Sequence, residues 1–98
     1  MQMPLFIATH KWKKEDFKTV TKKVIEALQQ TLEGGTLCAS YVKMGMDGAW
    51  CVWQAESAEL VQNFMTEMVP EMETKVTPAL QFYPPDPDLY AIIHTLVS

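Results

Sequence analysis

The chain has 98 residues, 48% of them hydrophobic and 20% charged, and a formal net charge of −4. That is enough for one core but not two, and too apolar for a disordered segment. The acidic balance and the complete absence of arginine argue against nucleic acid or an anionic membrane as partner, since the planar fork that reads guanine or clamps phosphate is missing.

All eight cations are lysines, and six of them (Lys11, Lys13, Lys14, Lys18, Lys22, Lys23) fall in one stretch. That run reads as a solvated helix face, partly neutralised by Glu15 beside Lys18 and Glu26 beside Lys22. No apolar stretch approaches a membrane span, and Met1 to His10 lacks a basic start and a small-residue cleavage pattern, so the expected location is the cytoplasm.

Taken in chain order, Leu5 to Thr9 alternates as a strand, entered through Met3-Pro4. Leu5, Ile7 and Thr9 share one face, while Phe6, Ala8 and His10 share the other. Both faces are largely apolar, so the strand needs cover on both sides. Glu15 to Glu33 reads as an amphipathic helix with a stripe at Phe17, Val20, Val24, Leu28 and Thr31, stopped by Gly34-Gly35. No good capping residue precedes it.

Thr36 to Met44 and Ala49 to Glu56 read as strands joined by a hairpin at Gly45-Met46-Asp47-Gly48. A turn centred on Met46-Asp47 sets Val42 opposite Cys51, Ser40 opposite Trp53 and Cys38 opposite Ala55. Both cysteines are then expected to be buried structural thiols, offset too far for a disulfide. Ser57 is a clean N-cap for a second helix, whose arc is Leu60, Val61, Phe64, Met65, Met68 and Met72, ended by Pro70.

A last strand spans about Lys75 to Tyr83, with Val76, Leu80 and Phe82 on one side and Thr77, Ala79, Gln81 and Tyr83 on the other. Pro78 marks it as an edge strand or a bulge. Pro84-Pro85-Asp86-Pro87-Asp88 is a rigid turn. Beyond it Leu89, Ile92, Ile93, Leu96 and Val97 follow helical spacing, with Asp88 as a possible cap. The domain therefore covers residues 1–83, and residues 84–98 form a Pro-rich turn and apolar tail that docks on the domain or on a dimer partner.

The order strand, helix, strand, strand, helix, strand gives an α+β, ferredoxin-like βαββαβ sandwich. Its four-stranded antiparallel sheet has two helices on one face, with a short C-terminal helix added. The other sheet face is left apolar and uncovered, which a second copy related by a two-fold axis would cure. A homodimer is the expected state.

Three segments carry a resemblance: Met3-Pro4-Leu5-Phe6-Ile7-Ala8-Thr9-His10, the run from Gly48 to Leu60, and Lys75-Val76-Thr77-Pro78-Ala79-Leu80. Over about residues 3 to 83 the chain resembles small uncharacterised members of the dimeric α/β-barrel superfamily, near its nickel-binding and antibiotic-biosynthesis-monooxygenase-like groups. The resemblance implies a ferredoxin-like fold, a dimer and a cavity lined by the strand face away from the helices. The superfamily also holds haem-degrading enzymes, muconolactone isomerases and stress-response proteins, and fold does not choose among them.

His10 is the candidate catalytic residue, because a histidine on such a cavity could carry a proton or bind a metal. The bland alternative is a histidine at a strand end that hydrogen-bonds a loop. Only His10 and His94 are present, no HxxxH or CxxC spacing occurs, and no metal ligands or cofactor are assigned. Trp12, Tyr41 and Trp53, with Trp50, Met44 and Met46, are candidates for an aromatic ligand pocket, against ordinary core and interface packing. No nucleophile elbow, phosphate-cradling loop or paired-carboxylate signature is found. The expected function is binding of a small apolar or metal ligand in the cleft beside the sheet. The alternative is a cofactor-independent monooxygenase- or isomerase-like enzyme with His10 as proton carrier. A third reading is an interaction module that displays its tail.

Overall fold

The computed structural model describes the backbone of residues 4–82 and 87–97, and side chains within 4–82 and 91–97. Its elements run β1 (Leu5–Lys11), α1 (Phe17–Leu28), β2 (Gly35–Val42), β3 (Gly48–Ala55), α2 (Ala58–Met68), β4 (Glu73–Ala79) and α3 (Pro87–Val97). The βαββαβ order builds one antiparallel sheet with strand order β2-β3-β1-β4. Helices α1 and α2 lie on one face of it. The expected fold is the observed one.

Alternation on β1 decides which face is covered. Phe6, Ala8 and His10 are buried and Trp12 follows them, while Leu5, Ile7, Thr9 and Lys11 point the other way. Cys51, Trp53 and Ala55 of β3 join the buried set, closed over by Val20 from α1 and by Val61 and Met65 from α2. Val69 and Met72, in the turn after α2, complete the core. The arc expected on α2 is therefore the packed one.

Helix α1 is shorter than its periodicity predicts. A single 3-10 turn at Lys14–Asp16 precedes it, and tighter bonds from Gln29 N–H to Glu26 O and from Gln30 N–H to Ala27 O wind it down. A helix over all of 15–33 would be about 28 Å long, against roughly 24 Å for a seven-residue strand, so it would overshoot the sheet it covers. The chain instead turns back through Gly34, whose φ of +84° is ground that glycine occupies at little cost.

The β2–β3 register also differs from the expected one. Ser40 lies opposite Cys51 and Val42 opposite Ala49, two residues from the predicted pairing. The connection is a five-residue loop, residues 43–47, closed by Lys43 N–H to Gly48 O and Met46 N–H to Lys43 O, with Met46 at φ +61°. Gly48 is not a turn residue. It pairs with Lys11 inside the sheet, where an added Cβ would stand 2.9 Å from the His10 carbonyl oxygen.

Two further expectations are corrected. The register slips between Leu37 and Ala39, leaving Cys38 at a β-bulge; it is exposed, and only Cys51 is a buried thiol. Strand β4 starts at Glu73 and ends at Ala79, so Leu80 and Phe82 lie beyond it rather than on its face with Val76, and are 72% and 67% exposed. Pro78 does sit on an edge strand. Tyr83 and the turn at 84–86 lie outside the described residues. Helix α3 begins at Pro87, so Asp88 falls within it rather than capping it. Pro87 suits a first helical position, where its missing N–H costs nothing.

Ser57 accepts a hydrogen bond from Leu60 N–H at 3.1 Å, the bond expected of an N-cap. Ser57→Ala should cost about 1 kcal/mol in urea denaturation and Ser57→Asp much less, because aspartate can cap the same turn. Equal costs for the two would show that the hydroxyl matters for another reason.

Candidate functional site

The sheet has a covered and an open face, and the predicted site residues divide between them. His10, Trp12 and Trp53 lie on the helix side, whereas Tyr41 belongs to the open side. They do not form one pocket.

His10 is 2% exposed, and its Nδ1 lies 2.9 Å from Thr74 Oγ1. The two residues are direct partners across β1 and β4. Thr74 is held in turn from α2, where Gln62 Nε2 donates to its carbonyl oxygen at 2.8 Å. The His10 Nε2 atom has no protein hydrogen-bond partner. Burial pushes the imidazole pKa from 6.5 down to about 4, so the ring is neutral at pH 7. The superfamily resemblance put a cavity on the face away from the helices, but His10 faces the helices.

Trp12 is packed under the hairpin loop, and its Nε1 donates to Met46 O at 2.9 Å. It borders a cleft of about 330 Å³ with Lys11, Lys13, Glu71 and Glu73. Beside that cleft Lys23 pairs with Glu71, tying α1 to the turn before β4 and holding the Glu71 carboxyl below its usual pKa. Trp53 is buried against Phe64 of α2 in an edge-on contact, with ring centroids 5.9 Å apart. Its Nε1 has no protein partner. Cys51 meets Ser40 Oγ at 3.4 Å, and burial raises its thiol pKa, which is the reverse of what a nucleophile needs.

The open face is ordered in rows across the strands. Tyr41, Trp50, Thr9 and Lys75 are successive partners from β2 to β4. The next row is Ala39, Val52, Ile7 and Thr77, and on the other side Gly48, Lys11 and Glu73 align. The β2–β1 part is apolar and aromatic, and the β1–β4 part is polar. A cleft of about 320 Å³ opens there, lined by Thr9, Lys11, Glu73, Lys75 and Thr77. None of these five was among the site residues predicted from the sequence.

A third cleft, along α3, is lined by Ala91, Ile92, Thr95 and Leu96. Ile92, Leu96 and Val97 are exposed there. None of the three clefts is lined by His10. Among the described residues no group of three or more His, Cys, Asp or Glu side chains converges as a metal site, and no helix is long and apolar enough to cross a membrane.

The comparisons with known proteins fall on this same unit. No curated protein matches the sequence. Among solved structures, an unknown protein from Galdieria sulphuraria is similar at 13% identity and a TM-score of 0.42, over 90% of this chain and 50% of that one. The chain thus spans about half the length of that protein. The profile of a domain of unknown function, DUF3303, matches residues 4–83, which hold the four described strands and helices α1 and α2. The chain belongs to the DUF3303 family.

Proposed function

We propose that the protein is a homodimer closed through its open sheet faces, and that it binds a small organic ligand in the cleft beside that interface, where polar and apolar parts of the face meet. The observation that carries this reading is the make-up of the open face. Ile7, Trp50 and Tyr41 are exposed side by side on a sheet whose other face is packed under helices. Contiguous apolar surface of this kind marks an interaction site, and two sheets stacked about 10 Å apart would bury it. The two-fold pairing needs no second gene product, because the same patch serves both sides. The cleft at Thr9, Lys11, Glu73, Lys75 and Thr77 then lies at the edge of the interface, and its mouth narrows when the partner docks.

The apolar tail belongs to the same proposal. Helix α3 exposes Ile92, Leu96 and Val97, and in the dimer these residues gain cover from the second copy. Ligand binding ranks ahead of catalysis by His10. A neutral imidazole with a bare nitrogen suits a proton acceptor, but the ring lies under the helices and away from the clefts described above. An organic ligand ranks ahead of a metal, since the cleft offers lysines and threonines with a single carboxylate.

Native mass spectrometry tests the reading directly. The wild-type chain should run as a dimer, and Ile7→Glu should convert it to a monomer by placing an unpaired carboxylate in the centre of the contact. A wild-type monomer at micromolar concentration would refute the proposal.

A further inference from the structure

We infer that the ligand of the open-face cleft is a flat apolar carboxylate, with its anion held at Lys75 and its body lying along the strand row toward Trp50. The inference rests on the cleft proposed above and adds the ligand's chemical class. It comes from charge and shape together.

Three charged side chains line the cleft: Lys11, Lys75 and Glu73. Glu73 is the direct cross-strand partner of Lys11 and the same-face neighbour of Lys75, so one carboxylate serves two ammonium groups and the cleft keeps a surplus positive charge. We place that surplus at Lys75, the lysine nearer the Trp50 row. The described ion pairs, Lys23 with Glu71 and Lys43 with Asp47, do not involve it. Thr9 is its cross-strand partner and Thr77 its same-face neighbour, so two hydroxyl donors flank the ammonium. One cation with two hydroxyls is a set of donors suited to a single carboxylate.

The rest of the row fixes the shape. From Lys75 it continues through Thr9, a short side chain, to Trp50, which is 42% exposed, and to Tyr41 at 60%. Lys75 and Trp50 lie two strand spacings apart, roughly 10 Å. The Lys43 side chain lies over Gly48 beside Lys11, which closes that flank and leaves the row toward Trp50 as the direction for the ligand's body. A rigid planar molecule of about two fused rings spans this distance, with its acid on the ammonium and its far ring wedged between the indole and the partner's sheet at the rim of the proposed interface.

The test uses the full chain and two probes of one shape, 2-naphthoate and the neutral 2-naphthamide, titrated by calorimetry. The acid should bind more tightly than the amide. Lys75→Glu should weaken the acid by roughly tenfold or more, the worth of one charge-assisted contact, and leave the amide nearly unchanged. Trp50→Ala should weaken both. A dimer that binds the amide as well as the acid would overturn the carboxylate assignment and leave the cleft reading standing. Failure of both probes to bind a folded wild-type dimer would also overturn it. Unchanged acid binding in Lys75→Glu would do the same, whatever the oligomeric state.

Discussion

Lowering the pH from 7 to 4 is expected to cost the wild-type protein about 3 kcal/mol of folding stability through His10 alone. The imidazole titrates near 6.5 in an unfolded chain but near 4 in the folded one, because charging it means charging a group with almost no contact with water. Between those values the unfolded state binds the extra proton and the folded state does not. Stability is therefore complete above pH 6.5 and is lost as the pH falls toward 4. A His10→Asn variant keeps an amide near the Thr74 hydroxyl and removes the titration. Its stability, measured by urea denaturation at each pH, should fall less across that window than the wild type's. Loss of the Lys23–Glu71 contact also begins in acid, but it is present in both proteins and cancels in the comparison. Parallel curves would mean that the His10 ring gains charge in the folded state as easily as in water.

His10 also shows where the sequence stops being informative. Period-two alternation correctly grouped it with Phe6 and Ala8, and the core confirms that grouping. What alternation could not decide was which face the helices would choose, because Leu5 and Ile7 are as greasy as Phe6 and Ala8. The deciding residues were Lys11 and Glu73, whose charges need water, and both fell just outside the predicted strands. Ending the first strand at Thr9 left Lys11 without a face. Starting the last one at Lys75 removed Glu73 and Thr74 together.

Those two truncations hid both the open-face cleft and the partner of His10. Neighbouring strands follow from the βαββαβ plan, but their offset does not, and the cleft depends on the offset. The hairpin fails for a related reason. Gly45 and Gly48 looked like equivalent turn glycines, yet Gly48 is needed for close approach to the His10 carbonyl. Backbone contact across strands leaves no mark in a single sequence that separates it from a turn.

The indole of Trp53 should split its contribution cleanly between size and polarity. Trp53→Ala is expected to cost about 3–5 kcal/mol, the usual range for emptying a buried aromatic site. Trp53→Phe should cost only about 1 kcal/mol or less, for two opposing reasons. It removes apolar volume, but it also removes an N–H buried without a protein acceptor, a defect worth roughly 1–3 kcal/mol. A phenyl ring at this position still meets Phe64 edge-on, so most of that aromatic contact survives. Guanidinium unfolding of the two variants measures both numbers. If the phenylalanine costs as much as the alanine, the indole N–H is paired in solution or the indole outline itself is what the core requires. The same variant separates the two faces of the sheet. Phe6, Trp53 and Leu37 form a row on the helix side, so Trp53→Phe should leave 2-naphthoate affinity unchanged while Trp50→Ala lowers it. A drop in affinity with Trp53→Phe would move the ligand from the open face into the core between sheet and helices, where His10 would be its nearest titratable neighbour on β1.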